Sequence, residues 1–204
     1  MIVATDCLLT LGRRGCGKTF LNKRLQQLWP RRVVLDQLGE YGPEDGQVVF
    51  GFDEFTTAIA KLERDKPEKF VLIVHFDPQS TVSEDEFNEI LKLCYFFGNL
   101  QVVIEEVQLY TTAHQLPHWF RQCLLTGRHR GLSILASTQR PGELHKTILS
   151  QCVHIFCGQI FEGNDIRYVT SFLGTSSDRL SSLPPRKFLY FFEGKITEIQ
   201  NDAI

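Results

Sequence analysis

The residues best suited to chemistry form a glycine-rich run, GRRGCGKT, at positions 12–19. The run satisfies the spacing G-x-x-x-x-G-K-[ST] and lies between an apolar segment and an amphipathic one. Its glycines allow the backbone to wrap a phosphate group, so that successive N–H groups and the start of the following helix face the phosphate oxygens. Lys18 is suited to the β- and γ-phosphates of a nucleotide, and the Thr19 hydroxyl is suited to Mg²⁺. The run therefore predicts a site for ATP and Mg²⁺, formed by Gly12, Arg13, Arg14, Gly15, Cys16, Gly17, Lys18 and Thr19.

Two consecutive glutamates offer a second set of catalytic groups. Glu105 and Glu106 follow the apolar residues 102–104 directly. Hydrolysis of a nucleotide requires an acid at the end of a buried strand to hold Mg²⁺, and a neighbouring carboxylate to polarise the attacking water. We assign the metal to Glu105, together with Thr19, and the water to Glu106. The first acid in such pairs is usually Asp, so the glutamate at 105 leaves open how the two residues divide these roles.

The stretch TGRHRGLSILASTQRPGEL, residues 126–144, places polar side chains at both ends of an apolar run. In an α/β sheet, ligands bind just beyond the carboxyl ends of the strands. Gln139 follows the run and should therefore lie at the nucleotide, whereas Arg128 and Arg130 precede it and should lie at the opposite end. A helix predicted to end near Gly127 gives the two arginines a second interpretation, as solvated cations near its C-terminus.

The elements that must position these residues alternate along the chain. Apolar runs at 2–11, 32–35, 70–76, 100–105, 132–137 and 153–160 predict strands, and helical periodicity predicts helices at 18–28, 54–66, 117–127 and 164–174. Ser83 and Glu86 form a capping box for a further helix. Asp53 fits as a helix cap, and Asp77 as a turn former. This alternation predicts an α/β fold with a mainly parallel sheet.

The C-terminal region has a different pattern. Glu193-Gly194 is a two-residue hairpin signal between segments 187–192 and 195–199, so we expect a C-terminal β-hairpin. The Ser- and Pro-rich residues 175–185 are predicted to form a loop before it.

Several segments together resemble the HerA and FtsK superfamily of DNA-pumping ATPases. The similar segments occur in family order: LGRRGCGKT, VVLDQLGEYG, VVIEEVQ, GRHRGLSILASTQRP and ILSQCVHIF. The resemblance covers residues 2–174 and implies a three-layer, RecA-like P-loop NTPase. It further implies a single ATPase domain at 1–204, with its core at 2–174 and the terminal loop and hairpin at 175–204.

The resemblance also implies roles for the polar residues around residues 132–137. Gln139 resembles the polar sensor of the family, within reach of the γ-phosphate or the attacking water. Arg128 and Arg130 resemble arginines that one subunit inserts into the active site of its neighbour, and only one of them need do so. Arg140 is a third candidate for that function.

Within the superfamily, the length of this chain favours the compact genome-packaging ATPases of double-stranded DNA viruses with an internal membrane. That resemblance implies ATP-driven translocation of double-stranded DNA by a homo-oligomeric ring of five or six subunits, with capsid vertex proteins as further partners. Residues 41–47 and 108–115 are candidates for the segment that contacts DNA. The alternatives left open are another HerA-like cellular translocase or helicase, a P-loop kinase of a small substrate, and a regulator that binds nucleotide but hydrolyses little.

The composition is that of an ordinary globular chain. Among 204 residues, 43% are hydrophobic and 23% are charged, and the formal net charge is −2. No overall positive field indicates nucleic acid, although a ring can concentrate basic side chains on its inner face. The six cysteines show no CxxC spacing and fit a reducing compartment. We therefore expect a cytoplasmic protein without a membrane anchor, in the host cytoplasm and at the packaging vertex if it is viral.

Overall fold

A nine-stranded sheet runs through the centre of the computed structural model, which describes residues 1–76 and 84–200. Its strands are β1 (Cys7–Leu11), β2 (Arg31–Asp36), β3 (Gln47–Phe50), β4 (Phe70–His75), β5 (Leu100–Ile104), β6 (Leu132–Thr138), β7 (His154–Cys157), β8 (Lys187–Phe192) and β9 (Lys195–Gln200). Their order is β3-β4-β2-β5-β6-β1-β7-β8-β9. The pairings among β1 to β7 are parallel, whereas β8 and β9 pair antiparallel.

Helices cover both faces of this sheet. They are α1 (Lys18–Leu25), α2 (Gly51–Asp65), α3 (Glu84–Phe97), α4 (His118–Thr126), α5 (Lys146–Gln151), α6 (Gly163–Leu173) and α7 (Ser177–Ser181). Successive strand residues point to opposite faces, so Val102 packs in the larger apolar core with α2 to α7 and Val103 packs in the smaller core with α1. The central strands are apolar on both faces, which is typical of a parallel sheet covered on both sides. The predicted three-layer α/β class and the C-terminal hairpin are thus confirmed.

The register brings four strand ends to one edge. Leu11 pairs with Thr138, Ile104 with Ala136, and Leu35 with Ile104. The segments that follow β1, β2, β5 and β6 therefore begin side by side. Every residue predicted to bind the nucleotide or its metal lies in one of these segments.

Several boundaries differ from those that the sequence predicted. Strand β1 begins at Cys7 instead of residue 2, and α1 ends at Leu25, with a 3₁₀ turn continuing to Leu28. Strand β3 and helix α5 were missed because four and six residues are too few to show a periodic pattern. Helix α7 lies inside residues 175–185, where only a loop was expected.

The assignment of Asp53 as a helix cap was wrong. Helix α2 starts at Gly51, so Asp53 lies within its first turn, and the N-cap position is occupied by Phe50. The N–H groups of Phe50 and Phe52 instead donate to the carboxylates of Glu54 and Glu86, at 2.9 and 3.0 Å. Ser83 of the predicted capping box and the predicted turn former Asp77 lie outside the described residues.

No helix in the described part of the chain is long and apolar enough to cross a membrane.

Candidate functional site

The glycine-rich run forms the turn between β1 and α1, and we call residues 12–19 the P-loop. Gly12 and Gly17 have φ angles of 142° and 104°, which disfavour any residue with a side chain. A Cβ atom at Gly12 would also lie 2.8 Å from the Cys16 sulfur and 3.2 Å from the Gly158 backbone. The backbones at Gly12 and Gly158 therefore lie too close to each other and to Cys16 for a side chain at either position. Cys16 is a buried packing residue, and burial raises the pKa of its thiol.

Lys18 bends back over the P-loop. Its Nζ donates to the carbonyl oxygens of Gly12 and Arg13, at 3.0 and 3.4 Å, and lies 3.7 Å from Glu106 Oε1. The side chain is 6% exposed, so the charge sits inside the loop rather than in solvent. This position suits an ammonium group that meets the outer phosphates of a nucleotide.

The two arginines of the P-loop are exposed on its outer side together with Gly15. Arg13 donates from Nε to Gln159 Oε1 at 2.8 Å, and its guanidinium lies 4.9 Å from the centre of the Phe161 ring. The backbone N–H of Arg13 also donates to the Gln159 carbonyl at 2.8 Å. These contacts attach the P-loop to the segment that follows β7.

Glu106 and Gln139 meet at the ends of β5 and β6. Gln139 Nε2 donates to Glu106 Oε1 at 2.7 Å, and the Gln139 backbone N–H donates to Glu106 Oε2 at 3.1 Å. Gln108 Nε2 donates to the same Oε2 at 2.7 Å, and its own Oε1 accepts from Thr138 Oγ1 at 2.6 Å. Lys18, Glu106 and Gln139 are therefore brought together, as the sequence predicted.

The backbone of Glu106 explains how neighbouring glutamates reach different places. Its φ of 51° and ψ of 57° are left-handed, which is uncommon for a residue with a side chain and clusters at functional sites. This turn directs the Glu106 carboxylate to the P-loop lysine while Glu105 stays beneath α1. The consecutive pair therefore serves two separate networks.

Glu105 is buried, with 2% of its surface exposed. Its Oε1 accepts from Asn22 Nδ2 at 3.0 Å and from the Tyr41 hydroxyl at 2.8 Å, and its Oε2 accepts from the Ser137 hydroxyl. Burial raises the pKa of Glu105, and the three donors oppose that shift. Burial and the neighbouring Glu105 also raise the pKa of Tyr41. The carboxylate thus joins α1, β6 and the segment after β2.

Thr19 and Glu105, predicted together for the metal, have different hydrogen-bond partners. The Thr19 hydroxyl donates to the carboxylate of Glu40, which follows β2 at the same edge. Sequence reasoning used Glu40 only as part of a resemblance and missed this contact. The sequence did contain a signal for it, because Glu40 follows within a few residues of β2, and β2 pairs with β5.

The three candidate arginines lie at opposite ends of β6. Arg128 and Arg130 belong to a 3₁₀ turn, Gly127–Arg130, before the strand, and Arg140 follows it with Gln139. Arg130 Nε donates to the Tyr95 carbonyl at 3.4 Å, and its guanidinium lies 5.6 Å from the centre of the Tyr95 ring.

The other two arginines differ in their ion pairs. Arg140 pairs with Glu143 and Asp165, each at 3.3 Å. Arg128 is exposed and has no ion pair within residues 1–76 and 84–200. Contacts within the chain therefore engage Arg130 and Arg140 more than Arg128.

The described residues contain no group of three His, Cys, Asp or Glu side chains that could hold a metal ion by themselves. A Mg²⁺ ion that enters with a nucleotide does not need such a cage, because phosphates and water supply most of its ligands. The Thr19 hydroxyl provides a hard oxygen atom at the start of α1 and fits that kind of ion, with the Glu40 carboxylate beside it.

Comparison with known proteins finds the same fold in viral proteins. No protein-family model matches the chain. Protein P9 of Pseudoalteromonas phage PM2 is 26% identical over 119 residues, and the match spans 54% of this chain and 54% of the phage protein. A similar solved structure is the genome-packaging NTPase B204 of Sulfolobus turreted icosahedral virus 2 in complex with AMPPCP. The match covers 98% of this chain and 99% of the B204 chain. It has a TM-score of 0.77 and 19% identity. The chain has the fold of the viral genome-packaging NTPases.

The same fold extends to a bacterial relative. VirB4 of Thermoanaerobacter pseudethanolicus has a TM-score of 0.65 at 11% identity and covers 95% of this chain and 88% of its own. The resemblance predicted from the order of the sequence segments is thereby confirmed for the fold. The roles of Glu106, Gln139 and the arginines stay predictions, since a shared fold does not assign residues.

Proposed function

We propose that this chain is an ATPase that moves double-stranded DNA, and that it packages a viral genome as one RecA-like domain within a homo-oligomeric ring. The convergence of Lys18, Glu106 and Gln139 beside the P-loop is the observation that carries the proposal. Hydrolysis of a triphosphate requires a cation that binds the phosphates and a carboxylate that activates water. Gln139 is the polar group that orients this carboxylate. The likeness of fold to a packaging NTPase supports the link to DNA.

Each residue has a chemical task in this proposal. The P-loop N–H groups and Lys18 bind the phosphates, and Thr19 would hold Mg²⁺, which would neutralise charge on the phosphates. Glu106 accepts the proton of the attacking water. Gln139 holds the Glu106 carboxylate with two hydrogen bonds and turns it towards Lys18.

The ring explains the arginines at the far end of β6. An arginine from a neighbouring subunit stabilises charge on the transferring phosphoryl group, a contribution of about 10³ to 10⁵ in rate in other NTPases. We assign this function to Arg128, because Arg130 stacks on Tyr95 and Arg140 pairs with Asp165 in the same chain.

Contacts with DNA are expected to involve the phosphate backbone and to depend on salt rather than on base sequence. Tyr41 is 1% exposed and bonded to Glu105, so the start of segment 41–47 is unsuited to this contact. Residues 112–115 are exposed and remain the better candidate. Further copies of the chain and capsid vertex proteins are the other proposed partners.

Phosphate release, measured with and without double-stranded DNA, tests the function. We expect ATP hydrolysis that DNA stimulates and that added salt suppresses. Transfer of the γ-phosphate to a nucleoside instead of water would identify a kinase and overturn the proposal. Binding of ATP without hydrolysis under either condition would identify a regulator.

A mixing experiment tests the neighbour's arginine. Arg128→Ala subunits keep an intact site but offer no arginine, and Glu106→Gln subunits offer the arginine but cannot activate water. If Arg128 acts between subunits, mixing the two inactive variants restores turnover. The control is Arg121→Ala, which removes an exposed arginine from α4 and should retain turnover by itself. Absence of recovery on mixing would contradict the assignment of Arg128.

A further inference from the structure

We propose that Glu40 completes the metal site of the P-loop by accepting the hydrogen of the Thr19 hydroxyl, and that Glu105 supports it from below. This inference rests on the proposed nucleotide site and identifies a carboxylate that the sequence motifs did not assign. Glu40 acts as a positioning residue, because it reaches the metal through Thr19.

The first step concerns the Thr19 hydroxyl. A hydroxyl group has one hydrogen to donate and two lone pairs to offer. It can direct a lone pair at Mg²⁺ only when its hydrogen points to another acceptor. Glu40 is that acceptor, since the Thr19 hydroxyl donates to its carboxylate. Partners of this kind orient metal ligands and commonly change metal affinity by about ten- to a hundredfold.

The second step concerns the turn that carries Glu40. The Asp36 carboxylate accepts from the backbone N–H groups of Leu38 and Tyr41, at 3.2 and 2.8 Å. His75 Nε2 lies 2.9 Å from the Tyr41 carbonyl oxygen and 3.4 Å from the same carboxylate. These contacts fix the backbone on both sides of Glu40. The turn therefore has a fixed backbone, and it places the exposed side chain of Glu40 next to Thr19.

The third step concerns Glu105. Its carboxylate accepts three hydrogen bonds, from Asn22, Tyr41 and Ser137, out of about four lone-pair positions. Tyr41 follows Glu40 directly, so its bond to Glu105 anchors the turn to β5. Glu105 therefore holds the turn in place, while Glu40, on its exposed side, meets Thr19. In this proposal, three glutamates rather than two share the tasks: Glu40 orients Thr19, Glu105 supports the turn, and Glu106 faces Lys18.

The test measures how strongly Mg²⁺ improves ATP binding. Titration calorimetry of the full chain with ATP, with Mg²⁺ and with EDTA, gives the ratio of the two affinities. We expect Glu40→Gln to lower this ratio about ten- to a hundredfold, because the charge-assisted hydrogen bond that orients Thr19 becomes a weaker, neutral one. The affinity in EDTA should not fall, since the variant removes only a negative charge near the triphosphate. Weaker Mn²⁺ binding to the ATP complex, measured by electron paramagnetic resonance, should accompany the change.

The matched control is Glu44→Gln, which removes the same charge from an exposed residue four positions further along the chain. It should keep the wild-type ratio. An unchanged ratio in Glu40→Gln, or an equal loss in both variants, overturns the proposal. Since Glu40 is exposed, the melting temperature of Glu40→Gln should stay at the wild-type value, which separates a lost metal contact from a lost fold.

A failure of the role proposed for Glu40 can be distinguished from a failure of the proposed function. If the wild-type chain hydrolyses ATP with DNA and Glu40→Gln keeps the full ratio, only the role of Glu40 fails. If Glu40→Gln loses the ratio but the wild-type chain shows no hydrolysis, the metal site stands and the motor function fails.

Discussion

Replacement of Glu106 with Gln should stop ATP turnover while leaving the fold and ATP binding intact. The substitution removes the carboxylate that we propose as the acceptor of the water proton but keeps the size of the side chain. It also removes the negative charge 3.7 Å from Lys18 Nζ, so the lysine becomes freer to meet the phosphates. ATP affinity should therefore be retained or increased.

The expected change in stability follows from the hydrogen bonds of Glu106. The backbone N–H of Gln139 is fixed, so the new amide should place its oxygen where Oε2 accepts that bond and the bond from Gln108. Its NH₂ group then faces Gln139 Nε2, whose amide must turn over to present its oxygen. One reversed amide should alter the free energy of unfolding by less than about 1 kcal/mol. Loss of the carboxylate opposite buried Lys18 should lower it by about 1 to 3 kcal/mol more, since the lysine then keeps only its bonds to two carbonyl oxygens.

The expected loss of turnover is larger. A positioned general base contributes about 10² to 10⁴ in rate, which corresponds to about 2.7 to 5.4 kcal/mol of activation free energy. Phosphate release in steady state, binding by calorimetry and unfolding in urea measure the three quantities on one preparation. Wild-type turnover in Glu106→Gln would refute the assignment of the base. A loss of ATP binding equal to the loss of turnover would show instead that Glu106 is needed to form the site.

Three further substitutions test the surrounding structure. Gly12→Ala should abolish ATP binding and lower stability by about 1 to 3 kcal/mol, because its φ is 142° and its Cβ would crowd the Gly158 backbone; full binding would contradict this. Tyr41→Phe should lower the free energy of unfolding in urea by about 1 to 3 kcal/mol, since a buried donor to Glu105 is lost; a change below about 0.5 kcal/mol would argue against it. The third variant, Glu105→Gln, tests pH dependence. Burial raises the pKa of Glu105 above its ordinary value of 4.5, so the folded chain binds this proton more readily than the unfolded chain. Wild-type stability relative to Glu105→Gln should therefore fall as pH rises from 4.5 through the raised pKa; a constant difference in urea unfolding would oppose this.

The parts of the site that the sequence predicted are those encoded by contiguous motifs at strand ends. The P-loop, Glu106 and Gln139 follow β1, β5 and β6, and a parallel sheet brings such ends to one edge. The contact between Thr19 and Glu40 was beyond prediction, because it depends on the path of a turn rather than on a strand end. The same holds for Tyr41, which was expected in an exposed segment but reaches Glu105 across 64 positions of sequence.

The lesson for the fold is similar. Long periodic segments such as α2 and α3 were predicted because each carries several buried residues on one side. Strand β3 buries only Val49 among its four residues, so no pattern marked it. Its position became visible only through its pairing with β4.

One buried carboxylate lies between the proposed metal side of this site, at Thr19 and Glu40, and the proposed water side, at Glu106 and Gln139. Glu105 accepts from Tyr41, which supports Glu40, and from Ser137, which lies two residues before Gln139 on β6. The Ser137 oxygen also accepts the backbone N–H of Glu106, at 3.3 Å. A buried charge is weak evidence for stability, and its best-attested use is to fix one arrangement. We infer that Glu105 sets the relative positions of the two sides.

A double-mutant cycle tests that connection. Tyr41→Phe and Ser137→Ala each remove one donor from Glu105, at opposite oxygens. If the carboxylate joins the two sides, the loss of one donor changes the stability that the other donor contributes. The destabilisation of the double variant should then differ from the sum of the two single effects by about 0.5 to 3 kcal/mol. The same cycle on Mg²⁺-dependent ATP affinity should also be non-additive, since the turn bearing Glu40 depends on Glu105. Additive effects in both measurements would mean that Glu105 supports two independent neighbours, and the metal and water sides would then respond to ATP separately.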